Sequence, residues 1–151
     1  MITPMKTVMI FLSRGLISFL FLFSGFGKLM VWRETVDAVV GVLSNWYTML
    51  EGSILNPEMY QLLIENASPI LAIATSLEIL GGVFLLLGFK PRLGALFLIL
   101  FLLPVTILFH AFWFEIGPDR DKEMIAFIKN FALIGALMFI SLVRYPNRVK
   151  E

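Results

Sequence analysis

A glutamate, Glu78, stands in the middle of the apolar run formed by residues 69–89. A carboxylate at the centre of a bilayer costs about 2.5–3.5 kcal/mol on insertion scales, so such a residue is rare and usually has a partner or a function. Other apolar runs of the chain carry Arg14, His110 and Lys129. The way in which these four groups meet is therefore the main question that the sequence raises.

The composition is that of a polytopic membrane protein. Of the 151 residues, 59% are hydrophobic and only 15% are charged, and the mean hydropathy is +0.90. A soluble domain has about 25% charged residues. The length predicts a single domain, residues 1–151. A net charge of +1 without a basic patch argues against a nucleic-acid partner.

Four apolar runs reach the length of about 20 residues that a membrane-spanning helix needs. They are residues 8–29, 70–89, 93–114 and 124–143. The first run resembles no cleavable signal, because Arg14 interrupts it and no Ala-x-Ala site follows, so we interpret it as a retained span. The short turn at residues 89–92 makes the second and third spans antiparallel neighbours. The predicted fold is an all-α, four-helix transmembrane bundle.

The long first loop predicts one further amphipathic helix. Its polar positions Arg33, Glu34, Asp37 and Asn45 lie opposite an apolar stripe at helical spacing, which comprises Val36, Val39, Val40, Leu43, Trp46, Tyr47 and Leu50. Such a helix lies on the membrane surface or caps the bundle. The pairs Asn56-Pro57 and Ser68-Pro69 each place a capping residue before a first-turn proline, which is typical of a helix start.

Basic residues near the ends of the spans predict the orientation. One side carries Lys6, Lys90, Arg92, Arg144, Arg148 and Lys150, and the other carries Lys28, Arg33, Arg120 and Lys122. The excess on the first side predicts that both termini are cytoplasmic and that the bilayer is the cytoplasmic membrane. From the helical rise of about 1.5 Å per residue, the outer half of the membrane then contains Glu78, Lys28, His110, Lys129 and Asn130.

Glu78 is too short and too central to reach water, so it must be protonated, paired or hydrated. Arg14 could reach it from one side and Lys129 from the other. Lys28 could instead extend to the interface, and His110 could be an interfacial aromatic residue. Two readings of the cluster remain open and are compatible: an ion pair that holds the bundle together, and a polar site for a ligand head group or a proton.

Several kinds of site are excluded by the residue inventory. A single histidine and no cysteine leave no ligand set for haem, zinc or an iron–sulfur cluster in this chain. The absence of cysteine also excludes disulfides and thiol redox chemistry. The spans contain no aspartate for a Ser/His/Asp triad, and there is no phosphate-binding loop.

Four segments resemble the DoxX family of small bacterial membrane proteins. They are Arg14-Gly-Leu with Ser24-Gly-Phe-Gly-Lys28 in the first span, Leu77-Glu78-Ile-Leu-Gly-Gly82 with Gly88-Phe-Lys-Pro-Arg92, His110 at the end of the third span, and Lys129-Asn130-Phe-Ala-Leu-Ile-Gly135 in the fourth. The chain departs from the family in its longer first loop and its lack of cysteine.

The resemblance implies a four-helix bundle and a place in a membrane redox system. The family takes its name from a subunit associated with a terminal quinol oxidase and with thiosulfate:quinone oxidoreductase activity. The expected role is therefore a non-haem subunit or accessory factor that contacts quinone, either with a redox-enzyme subunit or as a homo-oligomer. The alternative is a non-catalytic membrane scaffold, or a carrier of a small polar or lipid-like solute.

Overall fold

The computed structural model describes residues 4–50 and 56–142, and the regular structure within these ranges is entirely helical. Six α-helices follow one another along the chain, with a short 3₁₀ turn at Phe112–Phe114 before the last. They are α1 (Pro4–Met30), α2 (Trp32–Met49), α3 (Pro57–Glu65), α4 (Ala67–Leu87), α5 (Pro91–Phe109) and α6 (Gly117–Leu142).

Four regions of the described chain are long and apolar enough to cross a membrane, which confirms the predicted fold class. They are Thr7–Met30, Ala67–Leu87, Pro91–Phe114 and Gly117–Leu142. The largest difference from the predicted bounds is at α6, which begins at Gly117 rather than at residue 124. The added residues are charged, and an ion pair of 2.8 Å between Lys122 and Asp119 spans one helical turn there. Hydropathy does not detect a helix that continues beyond the apolar layer. Val143, the predicted end of the span, lies outside the described residues.

The spanning helices pack in the order α1, α4, α5, α6. The backbones of α4 and α5 approach closely, since a Cβ placed on Gly94 would lie 2.9 Å from the carbonyl oxygen of Gly81. Only glycine permits this approach, which is typical of helix contacts in membranes. The contact confirms that the second and third spans are antiparallel neighbours. We call the end of the bundle with the α4–α5 turn, residues 88–90, the turn end.

The buried core lies along α5 and is apolar. It comprises Phe21, Leu85, Ala95, Leu98, Phe101, Leu102, Ile134, Leu137 and Ile140. Large apolar side chains also point away from the core, among them Phe19, Phe23, Leu87 and Phe139, whose exposed fractions are 67–74%. In water such a surface would be unfavourable, but in a bilayer it faces lipid tails. The environment of this protein is therefore the lipid bilayer.

Helix α2 caps the opposite end of the bundle, which we call the capped end. Leu43 on its apolar stripe is buried, whereas Asp37 and Asn45 on its polar face are exposed. The indole N–H of Trp46 donates a hydrogen bond of 3.0 Å to the carbonyl of Leu108 in α5. The predicted amphipathic helix is thus confirmed, and of its two predicted positions the structure shows the one on top of the bundle.

Both predicted starts of helices in the first loop hold approximately. Asn56 caps α3, because its side chain accepts a hydrogen bond of 2.7 Å from the backbone N–H of Met59. The stacked rings of Tyr60 and Tyr47, with centroids 4.3 Å apart, fix α3 to α2. Helix α4 begins at Ala67, two residues before Pro69, and the predicted cap at Ser68 is wrong, because Ser68 lies in the first turn and the N-cap residue is Asn66.

A buried ion pair beside an apolar cleft as candidate functional site

Glu78 lies inside the protein and not on its lipid-facing surface. Its side chain is 1% exposed and shares one face of α4 with the buried residues Leu71, Thr75 and Gly82. That face packs on α1. The inference that Glu78 faces the bundle is therefore confirmed by the structure.

The partner of Glu78 is Lys28. The ammonium of Lys28 donates hydrogen bonds of 2.8 Å and 3.0 Å to the two carboxylate oxygens of Glu78, and one of 2.7 Å to the hydroxyl of Ser24. It also lies 5.1 Å from the centroid of the Phe101 ring, within the range of a cation–π contact. With 22% of its side chain exposed, Lys28 connects the buried carboxylate to the surface of a cleft.

A glycine makes room for this pair. A Cβ placed on Gly25 would lie 2.7 Å from Cγ1 of Ile79 and 3.3 Å from Oε2 of Glu78. Gly25 is one turn of α1 before Lys28, so its lack of a side chain lets α1 approach α4 at the level of the carboxylate. The five-residue segment Ser24-Gly-Phe-Gly-Lys28 thus supplies the hydroxyl, the space and the charge.

The expected partners of Glu78 were wrong, and the direction of helical side chains explains why. In a helix the Cα–Cβ bond tilts towards the N-terminus. Lys28 lies near the C-terminal end of α1, so its stem leads back into the membrane towards Glu78 rather than out to the interface. Arg14 lies on the same helix and tilts towards the turn end, where its guanidinium contacts Gly88.

The two polar residues of α6 lie away from the ion pair. Helix α6 packs along α5, so Lys129 and Asn130 are separated from Glu78 by a helix. The side chain of Lys129 is exposed and points towards the charged first turns of α6. Asn130 is half-buried. Neither residue contributes to the site around Glu78.

His110 pairs with an acid that the sequence reasoning did not consider. Its Nδ1 lies 2.7 Å from Oε2 of Glu123 on α6, and both side chains are partly exposed. A hydrogen bond from Nδ1–H to an ionised carboxylate leaves Nε2 for a second partner. The signal that could have found Glu123 is its position in the acidic first turns of α6, which hydropathy places outside the span.

An apolar cleft of about 410 Å³ extends from Lys28 of the ion pair with Glu78 to His110 of the pair with Glu123. Its polar lining residues are Lys28, Thr35 and His110. The rest of the lining comes from Val39 of α2, from Ile70, Leu71, Ile73, Ala74 and Leu77 of α4, and from Leu100, Phe101, Pro104, Val105, Leu108 and Phe109 of α5. Because Ile73 and Leu100 are 66% and 60% exposed on the flank of the bundle, the cleft opens sideways towards the lipid.

Pro104 interrupts the hydrogen bonding of α5 in the wall of this cleft. It lies inside α5 and has no N–H to donate to the carbonyl of Leu100, four residues earlier. Both residues line the cleft. The site therefore combines an ammonium and an imidazole with an apolar wall. Such a combination binds an amphiphile, whose polar head meets these groups while its tail contacts the wall.

The comparison with known proteins agrees with the architecture. The DoxX family model matches residues 9–111, more than half of the chain. The chain belongs to the DoxX family. It is also 24% identical to the inner membrane protein YphA of Escherichia coli (strain K12) over 139 residues, which cover 91% of this chain and 84% of YphA. No solved structure gives a significant match.

The DoxX match covers the main parts of the site. Lys28, Glu78 and His110 all lie within residues 9–111, as do both walls of the cleft. Glu123, Lys129 and Asn130 lie beyond the matched region. The ion pair and the cleft thus belong to the DoxX part of the chain, whereas the acid that orients His110 comes from its last helix.

Proposed function

We propose that this protein binds a lipid-soluble quinone in the cleft and acts as an accessory subunit of a quinone-linked redox system of the cytoplasmic membrane. The observation that carries the proposal is the cleft itself. It opens to the lipid, its walls are apolar, and it reaches both the Lys28 ammonium and the His110 imidazole. Its volume of about 410 Å³ lies within the range of about 300–1,000 Å³ that is usual for small-molecule sites.

The chemistry of a quinone fits these groups. A quinone head carries two carbonyl oxygens, which accept hydrogen bonds, on an apolar ring with an isoprenoid tail. At the inner end of the cleft, the Lys28 ammonium can donate to a quinone oxygen by exchanging one of its two bonds to Glu78. At the other end, Nε2 of His110 donates to a carbonyl when the imidazole is protonated and accepts from a quinol hydroxyl when it is neutral. Reduction to the quinol consumes two electrons and two protons. The electrons come from a partner redox subunit, because this chain has no ligand set for a redox metal.

Binding of decylubiquinone, a short-tailed quinone, to the purified protein in detergent tests the proposal. Ala74 lines the cleft, so Ala74→Leu fills part of it and weakens binding by about tenfold, the equivalent of 1.4 kcal/mol. The matched control is Ala132→Leu, at an exposed position on α6. Unchanged affinity in Ala74→Leu, or no saturable binding to the unaltered protein, would contradict the proposal.

A carrier of a lipid-like solute is the second candidate, because the same sideways opening allows a molecule to enter from the membrane. The two functions are distinguished by what accompanies the protein. Native purification that yields quinone and a redox-enzyme subunit favours the first. Movement of a fluorescent lipid-like solute by the purified protein in liposomes, without a partner, favours the second.

A further inference from the structure

Arg14 occupies a site at the turn end that the ion pair and the cleft do not involve. Its guanidinium packs directly on the backbone of Gly88, the residue that ends α4 in a left-handed conformation with φ of 68°. A Cβ placed on Gly88 would lie 2.5 Å from Nη1 of Arg14. Gly88 therefore provides both the turn and the space in which the guanidinium lies.

The positive charge of Arg14 has no counter-ion in the described part of the chain. The Nε of the guanidinium is buried without a hydrogen-bond partner. Helices α1, α4 and α5 together contain a single acid, Glu78, which is already paired with Lys28, and the acids of α6 lie in its first turns at the capped end. Arg14 is half-buried, and a cation at this depth in a membrane favours an anionic partner, which the described residues do not supply.

The described acids are concentrated at the capped end of the bundle, where Arg33, Arg120 and Lys122 also lie. Apart from Glu78, every acid within residues 4–50 and 56–142 lies towards the capped end: Glu34, Asp37, Glu58, Glu65, Glu115, Asp119, Asp121 and Glu123. The turn end instead carries Arg14, with Lys90 in the turn itself. The field at this end therefore attracts an anion.

The surroundings of Arg14 are suited to an anion with apolar chains. Lys90 is exposed and lies 5.5 Å from the ring of Phe89, which is also exposed. On the lipid-facing flanks, Leu12 and Leu87 are 54% and 67% exposed. A fork of guanidinium donors matches the oxygens of a phosphate, an ammonium adds charge, and apolar flanks accompany acyl chains.

We propose that Arg14 and Lys90 bind the phosphate of an anionic phospholipid at the turn end. The lipid supplies the missing counter-ion and fixes α1 to the α4–α5 turn through the guanidinium. A lipid fits better than free phosphate, since the site lies at the boundary of the apolar layer and has apolar flanks on which acyl chains can pack.

Native mass spectrometry of the protein with a mixture of phosphatidylglycerol and phosphatidylcholine tests this site. The unaltered protein retains phosphatidylglycerol preferentially, and Arg14→Gln and Lys90→Gln each reduce its occupancy, with the larger loss of about tenfold in Arg14→Gln. Lys129→Gln, which removes an exposed charge from α6, is the control and leaves the occupancy unchanged. Lys90 is exposed, so its variant keeps the fold even where Arg14→Gln does not.

Thermal unfolding separates the two sources of phosphate. Phosphatidylglycerol raises the melting temperature of the unaltered protein, and inorganic phosphate at the same concentration does not. Equal protection by inorganic phosphate would assign the site to a free anion and overturn the lipid assignment. Retention of phosphatidylglycerol in both variants, or equal retention of phosphatidylcholine, would also overturn it, because either result indicates lipid without a specific site.

Discussion

The ammonium of Lys28 on α1 lies 2.8 Å from Oε2 of Glu78 on α4, and this contact joins two membrane-spanning helices inside the apolar layer. Each charge lowers the free-energy cost of burying the other, because either one alone would have a large desolvation cost inside the membrane. The pair therefore stabilises the packing of α1 on α4, and it borders the cleft in which we propose that a ligand binds.

The first prediction concerns this pair. Glu78→Gln leaves the Lys28 ammonium without its counter-ion, and breaking a buried pair costs about 3–5 kcal/mol of unfolding free energy. Combining Glu78→Gln with Lys28→Met removes both charges and recovers most of that loss. Thermal and denaturant unfolding in one detergent measures both effects.

The controls for the pair are the combinations of Glu78→Gln with Arg14→Leu and with Lys129→Met. Neither residue contacts Glu78, so neither combination recovers stability. Recovery in either of them, and not with Lys28→Met, would show that Glu78 has a different partner in the membrane.

The second prediction concerns Gly25. Gly25→Ala places a methyl group 2.7 Å from Cγ1 of Ile79, so either the Ile79 side chain or the two helices must shift. Overpacking of this kind costs about 1–3 kcal/mol. The matched control is Gly27→Ala on the same helix, where nothing lies within 4 Å of the added Cβ. At position 27, alanine loses less backbone entropy on folding than glycine does, because its unfolded chain has fewer accessible conformations. Gly27→Ala therefore stabilises the protein by about 0.5–1 kcal/mol. Equal effects in both variants would contradict the close approach at Gly25.

The third prediction concerns the cap formed by α2. The chain has no cysteine, so single introduced cysteines give a clean labelling background. Cysteine at Leu43, which is buried, reacts slowly with an aqueous maleimide, and cysteine at Asp37 or Asn45, which are exposed, reacts fast. Uniformly fast labelling at the three positions would mean that α2 does not rest on the bundle.

The fourth prediction concerns orientation, which the basic residues at the span ends predict. Both termini are expected in the cytoplasm. A green fluorescent protein fused to the C-terminus should fluoresce, and an alkaline phosphatase fused there should be inactive. A fusion to the exposed Ile116, between α5 and α6, should give the opposite pattern. The reversed set of results would place the capped end in the cytoplasm.

Much of the architecture follows from local pattern. The four apolar runs, the stripe of α2 and the cap at Asn56 each depend on residues close together in the sequence, and the structure confirms all three. The bounds were less accurate where a helix leaves the apolar layer. At α6 the charged residues before Met124 continue the helix, and at α5 the helix ends at Phe109 before a 3₁₀ turn.

The candidate site was predictable in part. The sequence by itself determined that Glu78 could not face lipid as an unpaired charge, and it predicted a basic partner for this carboxylate. Only the tertiary structure decided that this partner is Lys28, since the choice depends on which helix packs on α4 and on the tilt of each side chain along its helix. Helix packing and side-chain tilt also explain why Arg14 contacts Gly88 and why Lys129 is separated from the ion pair, and no local sequence pattern contains this information.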